Sequence, residues 1–242
     1  MNQNKAYQIR RSARAKRARI IVTSETIEVV APFGMPEKQI HKFVAAKQAW
    51  VESAQNKVQL HVDSISKFSP EQYKEGSLIP YQGKQYQLSV KSSQGQALSI
   101  SFEKKFIAHV PEGVLKTLST KGLSEQLRHA LISWMMSAAA DKSIEYIHKY
   151  APLCQLYPRS IKIKALKSRW GSCGIHDDVN LNWLLILAPV EVFEYVVVHE
   201  LCHIQERNHS AAFWRLVDRY CPDYKQNRDW LKQHGSSLML GL

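Results

Sequence analysis

The segment that most constrains how this 242-residue chain can fold is His199-Glu200-Leu201-Cys202-His203, an H-E-x-x-H pattern behind the apolar run Tyr195-Val196-Val197-Val198, with His209 a short way beyond. On an α-helix, positions i and i+4 lie about 40° and roughly 6 Å apart, so His199 and His203 can offer imidazole nitrogens to one metal ion. If that helix continued unbroken, His209 would lie about 15 Å from His199 along the axis. A shared site therefore requires the helix to end soon after His203 and the chain to turn back. Asn208 is the expected pivot, since asparagine tolerates a left-handed backbone. Asn208 or Ser210 is expected to cap the following helix, with Phe213, Trp214 and Val217 on its core face. Pro189 suits a helix start. The valines favour strands, but a run from Tyr195 to Val198 also suits a buried helix.

These residue types in this order point to a zinc hydrolase. Zinc held by three protein ligands keeps a fourth position for water and lowers that water's pKa to about 7. Glu200, beside the metal without having to bind it, is placed to take the proton. The expected site is one zinc ion per chain on His199, His203 and His209, with Glu206 the alternative to His209. H-E-x-x-H also arises by chance in unrelated helices, and the apolar helix, Pro189 and His209 set this instance apart. Cys202 lies between the histidines but is turned away from the metal and reads as packing. Arg169 is a candidate for stabilising an oxyanion or binding a substrate carboxylate or phosphate, against an equal case for a structural hydrogen-bond hub. Asp218 could orient a ligand imidazole, although an exposed salt bridge is the commoner use. His176, Tyr220 and Tyr224 read as packing or surface groups.

Composition bounds the rest. An apolar content of 45% is enough for a substantial core. The four cysteines, Cys154, Cys173, Cys202 and Cys221, form no C-x-x-C pair, which argues against a disulfide framework and a structural zinc knuckle. The first twenty residues are polar and basic and no segment reaches the length of a membrane span, so a cytoplasmic protein with no membrane partner is expected. The formal net charge is +12, and Lys5, Arg10, Arg11, Arg14, Lys16, Arg17 and Arg19 precede any acid. Such a block is a solvated face or arm, or else makes non-specific contact with nucleic-acid phosphates.

Along the chain, strands are expected at Arg19 to Val22, Thr26 to Ala31, Gln85 to Val90, Leu98 to Phe102 and Phe106 to Val110. One helix is expected from Pro36 to about Lys57, with Ile40, Phe43, Val44, Ala46 and Trp50 on its apolar face. A long helix follows from about Leu123 to Tyr150, presenting Leu127, Leu131, Trp134, Met135 and Ile144. Ile161 to Lys164 and Val179 to Asn182 read as a hairpin before the metal helix, and as the edge where an extended peptide could pair. Ser210 to Tyr220 reads as a second helix. Pro222 opens a third, which Gly235 is expected to close.

The segments Arg169-Trp170-Gly171-Ser172-Cys173, Asn180-Leu181-Asn182, Tyr195 to His203, His209, Phe213-Trp214 and Pro222-Asp223-Tyr224 resemble the YgjP-like metal-dependent hydrolases, relatives of SprT-type zinc metallopeptidases. The likeness extends weakly to Ile9-Arg10-Arg11-Ser12-Ala13-Arg14 and to Phe43-Val44 through Trp50, and so covers most of the chain. It implies a zincin-type catalytic domain with zinc at His199, His203 and His209 and Glu200 as general base. The three histidines are also spaced as in H-E-x-x-H-x-x-G-x-x-H, with Glu206 where that motif has glycine. The expected fold is α+β: a β-rich N-terminal region with a basic arm and one helix over 1–115, then a zincin-like helical domain with a small β-hairpin or sheet over 116–242. The expected activity is hydrolysis of peptide bonds in protein or peptide substrates by a zinc-dependent metalloendopeptidase. The alternative is a metal-dependent nucleotide phosphohydrolase using the same site and the arginines. A nucleic-acid-binding module with a structural metal would need a fourth ligand, and none is evident.

Overall fold

The computed structural model describes residues 7–22, 26–55 and 69–242. The chain divides into two compact units, Met1–Ser66 and Lys67–Leu242. Lys5 and Lys57 lie outside the described residues.

In the first unit, β1 (Gln8–Arg11), β2 (Arg19–Val22) and β3 (Ile27–Ala31) form a sheet of order β1-β3-β2, with β1 parallel and β2 antiparallel to β3. Helix α1 (Glu37–Ala46) follows Pro36, and residues 48–55 are helical again after a turn at Lys47. Ile40 and Val44, one turn apart, pack with Val29 and Ala31. The apolar face is narrower than expected. Phe43 is half-buried, while Ala46 and Trp50 are exposed. Strand β1 carries too polar a sequence to be read as a strand. Its arginines are used locally: Arg10 donates to Glu28 at 2.7 Å, and Arg11 to the carbonyls of Pro32 and Met35.

The second unit opens with β4 (Leu78–Tyr81), β5 (Lys84–Ser93), β6 (Ser99–Phe102) and β7 (Phe106–Pro111), in the order β4-β5-β7-β6. Short helix α2 (Glu112–Thr117) leads to the long α3 (Thr120–Cys154), whose first turn Ser119 caps by accepting from the Gly122 amide. Trp134 of α3 meets Tyr81 and Phe106 edge-on at ring distances of 5.4 and 5.2 Å, which seats the sheet on the helix. Ile144, expected on the core face, is 45% exposed. Strands β8 (Ser160–Lys164), β9 (Gly171–Cys173) and β10 (Asp178–Asn182) follow. A buried 3₁₀ helix (Trp183–Leu187) then runs into α4 (Val190–Gln205), α5 (Ala211–Tyr220) and α6 (Tyr224–Leu238). The architecture is thus mixed, with several small sheets. No helix among the described residues is long and apolar enough to cross a membrane.

Three expectations differ from this arrangement. The compact units divide at Ser66/Lys67, whereas composition suggests a boundary near 115. The physical reason is that Ile79, Leu88, Phe106 and Val110 share one core with Leu127, Leu131 and Val197. The β4–β5 turn, with Gln82 and Gly83 both at positive φ (49° and 75°) as a type I′ hairpin turn requires, also bonds to the carbonyls of Ile186 and Leu187. Second, β8 and β10 are not a hairpin. They run parallel, and the hairpin is β9–β10, giving the order β8-β10-β9. Strand β9 is only three residues long and contains glycine, serine and cysteine, so it carries no strand pattern. Third, Gly235 does not end α6, which continues to Leu238. It is buried against Trp170, where an added Cβ would lie 3.2 Å from the indole Cζ2.

Candidate metal centre

Helix α4 forms despite its valines because burial on nearly every side offsets their preference for strands. Val192, Phe193, Val196, Val197, Val198 and Leu201 are all buried. Cys202 is fully buried, in agreement with a packing role. The four cysteines are free thiols. With this helix fixed in the core, His199 and His203 emerge together on its accessible side, and Glu200 stays inside, 5% exposed.

Helix α4 ends at Gln205, and its C-cap Glu206 is extended (φ −118°, ψ 98°). The turn back therefore needs no left-handed residue, which accounts physically for glutamate standing where the longer motif has glycine. Asn208 is not left-handed either. The Ser210 amide donates to its carbonyl at 2.7 Å, and Ser210 rather than Asn208 caps α5, its Oγ accepting from the Phe213 amide at 3.2 Å. Arg207, in the middle of this loop, donates to the Gly174 carbonyl at 2.7 Å and to Asp177 at 2.5 Å, tying the loop to the β9–β10 turn.

The loop returns His209 to the first two histidines. Its Nε2 lies 3.1 Å from that of His199 and 3.2 Å from that of His203. Three nitrogens each 2.0–2.1 Å from one tetrahedral ion would sit about 3.3–3.4 Å apart, so the spacing suits a single metal. The tautomers suit it as well. The Glu206 carbonyl lies 2.9 Å from His203 Nδ1 and can only accept, so Nδ1 carries the proton and Nε2 keeps its lone pair. Tyr195 Oη lies 3.4 Å from His199 Nδ1. Burial, helped by the neighbouring imidazoles, holds His199 down at about 3. His203 is lowered chiefly by burial, with the Glu206 carbonyl pulling the other way. Both rings are neutral at pH 7, the form that binds metal. The Glu206 carboxylate stands outside this cluster, which among the described residues consists of the three histidines.

Aromatic rings brace the cluster. Phe213 stacks on His203 at 4.4 Å and Trp214 on His209 at 5.7 Å, while Tyr224 stacks behind Trp214 at 5.3 Å. Asp218 is exposed, and the groups that meet the His199 and His203 rings at Nδ1 are Tyr195 and the Glu206 carbonyl. A helical i, i+4 spacing could have revealed Tyr195. A backbone carbonyl leaves no trace in a sequence.

Glu200 is pushed up to about 8 by burial, with Arg169 pulling the other way. Its Oε2 is buried without a hydrogen-bond partner among the described residues. Gly171 is the reason the carboxylate fits, since a Cβ there would lie 2.5 Å from Oε1. Arg169 is exposed at the mouth of the same pocket, and the loop that carries it is tied down by Asn182, whose Nδ2 donates to the carbonyls of Leu166 (2.8 Å) and Arg169 (3.2 Å). The pocket, about 410 Å³, is lined among others by Arg169, Trp170, Glu200, Trp214, Arg228 and Lys232.

With this geometry in view, a family model described as YgjP-like, metallopeptidase domain, matches residues 16–234. The chain belongs to the YgjP-like family. The match takes in both compact units, and the domain it describes is a metallopeptidase domain. A search of curated proteins finds no match to this YgjP-like chain. Among solved structures it is similar to the crystal structure of the metallopeptidase zymogen of Pyrococcus abyssi abylysin, at 20% identity over 38% of this chain and 92% of that one, with a TM-score of 0.35.

Proposed function

We propose that this YgjP-like protein is a zinc-dependent metalloendopeptidase whose metal is held by His199, His203 and His209 and whose general base is Glu200. The observation that carries the reading is the joint geometry of three convergent Nε2 atoms, 3.1 and 3.2 Å apart along two edges, beside a buried carboxylate with an unpartnered oxygen. Three nitrogen ligands leave a coordination position for substrate and suit zinc. A zinc ion there supplies Lewis-acid polarisation of the scissile carbonyl and an activated water. With a divalent cation on the three histidines favouring its ionised form, Glu200 takes the proton from the attacking water and passes it to the leaving amine, and the space left by Gly171 holds the carboxylate in place for both transfers. Strand β9 ends its sheet beside Glu200, so an extended peptide can pair along it through main-chain hydrogen bonds. Arg169 lines the same pocket and adds positive charge on the Glu200 side of the site.

A structural-metal reading would need a fourth protein ligand, and the group of candidate ligands among the described residues contains three. In the first unit, Arg14, Lys16, Arg17 and Arg19 are exposed, while Arg10 and Arg11 are already bonded within the fold. We assign the exposed four to non-specific phosphate contact, an affinity that falls steeply as salt rises.

The deciding experiment compares the zinc-loaded protein with its Glu200→Gln and His209→Ala variants on an unfolded-protein substrate, with nucleoside triphosphates in parallel. Glu200→Gln should lower peptide cleavage at least about a hundredfold with zinc retained, and His209→Ala should lose zinc. Glu200-dependent phosphate release without peptide cleavage would replace this reading with a nucleotide phosphohydrolase.

A further inference from the structure

Three cations line the pocket that also exposes His199 and Glu200: Arg169 from the loop before β9, and Arg228 and Lys232 from one face of α6. Glu200 is the single acid among its lining residues. Arg228 and Lys232 are four residues apart and so project on the same side of the helix. Lys232 is exposed and ion-paired with Asp229 at 3.2 Å, which leaves it only part of its charge to offer. The two arginines have no ion-pair partner among the described residues. The Arg228 guanidinium lies 5.1 Å over the Trp214 ring, and its Nε is buried without a hydrogen-bond partner among the described residues. A buried N–H left unpaired is costly, and a guanidinium held over an indole face is already positioned before any ligand arrives. Arg169 has its backbone held by the hydrogen bonds that Asn182 donates to the carbonyls of Leu166 and Arg169, and its side chain is exposed. One guanidinium held over an indole face and a second, exposed one lining the same pocket, with Trp170 and Trp214 as walls, make a site for a planar oxyanion on a short apolar stem.

We propose that this pocket is a carboxylate subsite of the peptidase, taking an acidic side chain or a C-terminal carboxylate of the substrate next to the scissile bond. The proposal rests on the peptidase reading for what the anion is attached to. A carboxylate forms paired hydrogen bonds with a guanidinium, and Lys232 adds a mobile charge at the rim. His199 and Glu200 line the same 410 Å³ space, so the bound carboxylate belongs to a residue immediately beside the reacting bond.

Titration calorimetry on the zinc-loaded full chain carrying Glu200→Gln reads the subsite without turnover. The probes are two pentapeptides blocked at both ends that differ only in a central Glu or Gln, and the Gln peptide with a free C-terminal carboxylate. At least one carboxylate peptide should bind about tenfold to a hundredfold tighter than the blocked Gln peptide, and the difference should shrink with added salt. Arg228→Gln should bring the ratio close to one, and Arg228→Lys should keep part of it. If Arg228→Gln does not fold, Lys232→Gln, at an exposed position, should still lower the ratio severalfold. Equal affinity for all three peptides overturns the proposal. So does Arg228-dependent binding of inorganic phosphate with no gain from a carboxylate, which would assign the pocket to phosphate. Cleavage by the unmodified protein is scored separately. Carboxylate preference without cleavage of any peptide removes the peptidase reading and leaves the anion subsite, whereas cleavage without preference removes the subsite alone.

Discussion

Glu200 is a carboxyl group enclosed by a core helix on one side and the bare backbone of Gly171 on the other. The two residues are far apart in the chain, and each makes the other's position workable. Gly171→Ala would place a methyl 2.5 Å from Oε1 and 2.7 Å from Cγ of Glu200, so the carboxylate or the strand has to shift. Overpacking of this kind costs about 1–3 kcal/mol, and the displaced base should lower peptide turnover by at least about tenfold while the histidines still retain zinc. Thermal melts, zinc content and turnover measured on one preparation check this together, and unchanged turnover would mean that Glu200 has slack the structure does not indicate. At this scale the His199, Glu200 and His203 grouping was legible because a helix converts a spacing of four residues into a shared direction. Gly171 was visible only as part of a family resemblance, since no local pattern links a glycine to a carboxylate that sequence places 29 positions away.

Between residue and fold, the site depends on how α4 ends. The need for a turn after His203 could be derived from helix rise alone, but its chemistry could not. The chain leaves the helix through extended Glu206, and Arg207 clamps the loop to the β9–β10 turn, where Asp177 sits at φ 62°. Arg207 is partly exposed, so Arg207→Ala should change global stability by less than about 1 kcal/mol. It should nevertheless weaken zinc affinity about tenfold, the scale seen when groups that orient metal ligands are removed, because His209 then rides on an untethered loop. Competition with a chelator measures this, and unaltered affinity would show that Ser210 and the aromatic stack suffice. The same small sheet predicts an acid limb. Asp178 accepts from Arg159 and Ser160 and is held down at about 2, chiefly by the Arg159 hydrogen bond. Its folded value lies below the ordinary carboxyl value of about 3.9. Its contribution is therefore present in full above about pH 4 and is lost as pH falls toward 2. Asp178→Asn should flatten the acid limb of a stability profile over that window and leave a smaller difference between the two proteins below it. The β9–β10 pairing escaped the sequence because a three-residue strand shows no alternation, and the parallel β8–β10 pairing escaped because apolar alternation carries no direction.

At the scale of the whole chain, the distribution of core residues decides what can be removed. The core that surrounds α3 and α4 begins at Tyr73 and runs to Leu242, while Val29, Ala31 and Ile40 form a separate small cluster in the first unit. Sheet β4-β5-β7-β6 looked like a partner of the N-terminal strands because both are β-rich, and composition cannot report which core a strand joins. What binds this sheet to the helices is specific: the aromatic packing of Tyr81 and Phe106 on Trp134, and the β4–β5 turn bonded to Ile186 and Leu187. A fragment spanning 67–242 should therefore fold with its core intact, melt within about 5 °C of the full chain, equivalent to roughly 1–2 kcal/mol at this size, and bind zinc with unchanged affinity. A fragment spanning 116–242, cut where composition alone suggests, lacks Ile79, Leu88, Phe106 and Val110 from that core. It strips the apolar partners from one face of α3 and should lose cooperative unfolding and zinc together, because large losses of buried apolar surface far exceed a net stability of about 5–15 kcal/mol. Circular-dichroism melts and zinc stoichiometry on the two fragments decide between the boundaries, and a stable, zinc-binding 116–242 fragment would restore the one near 115.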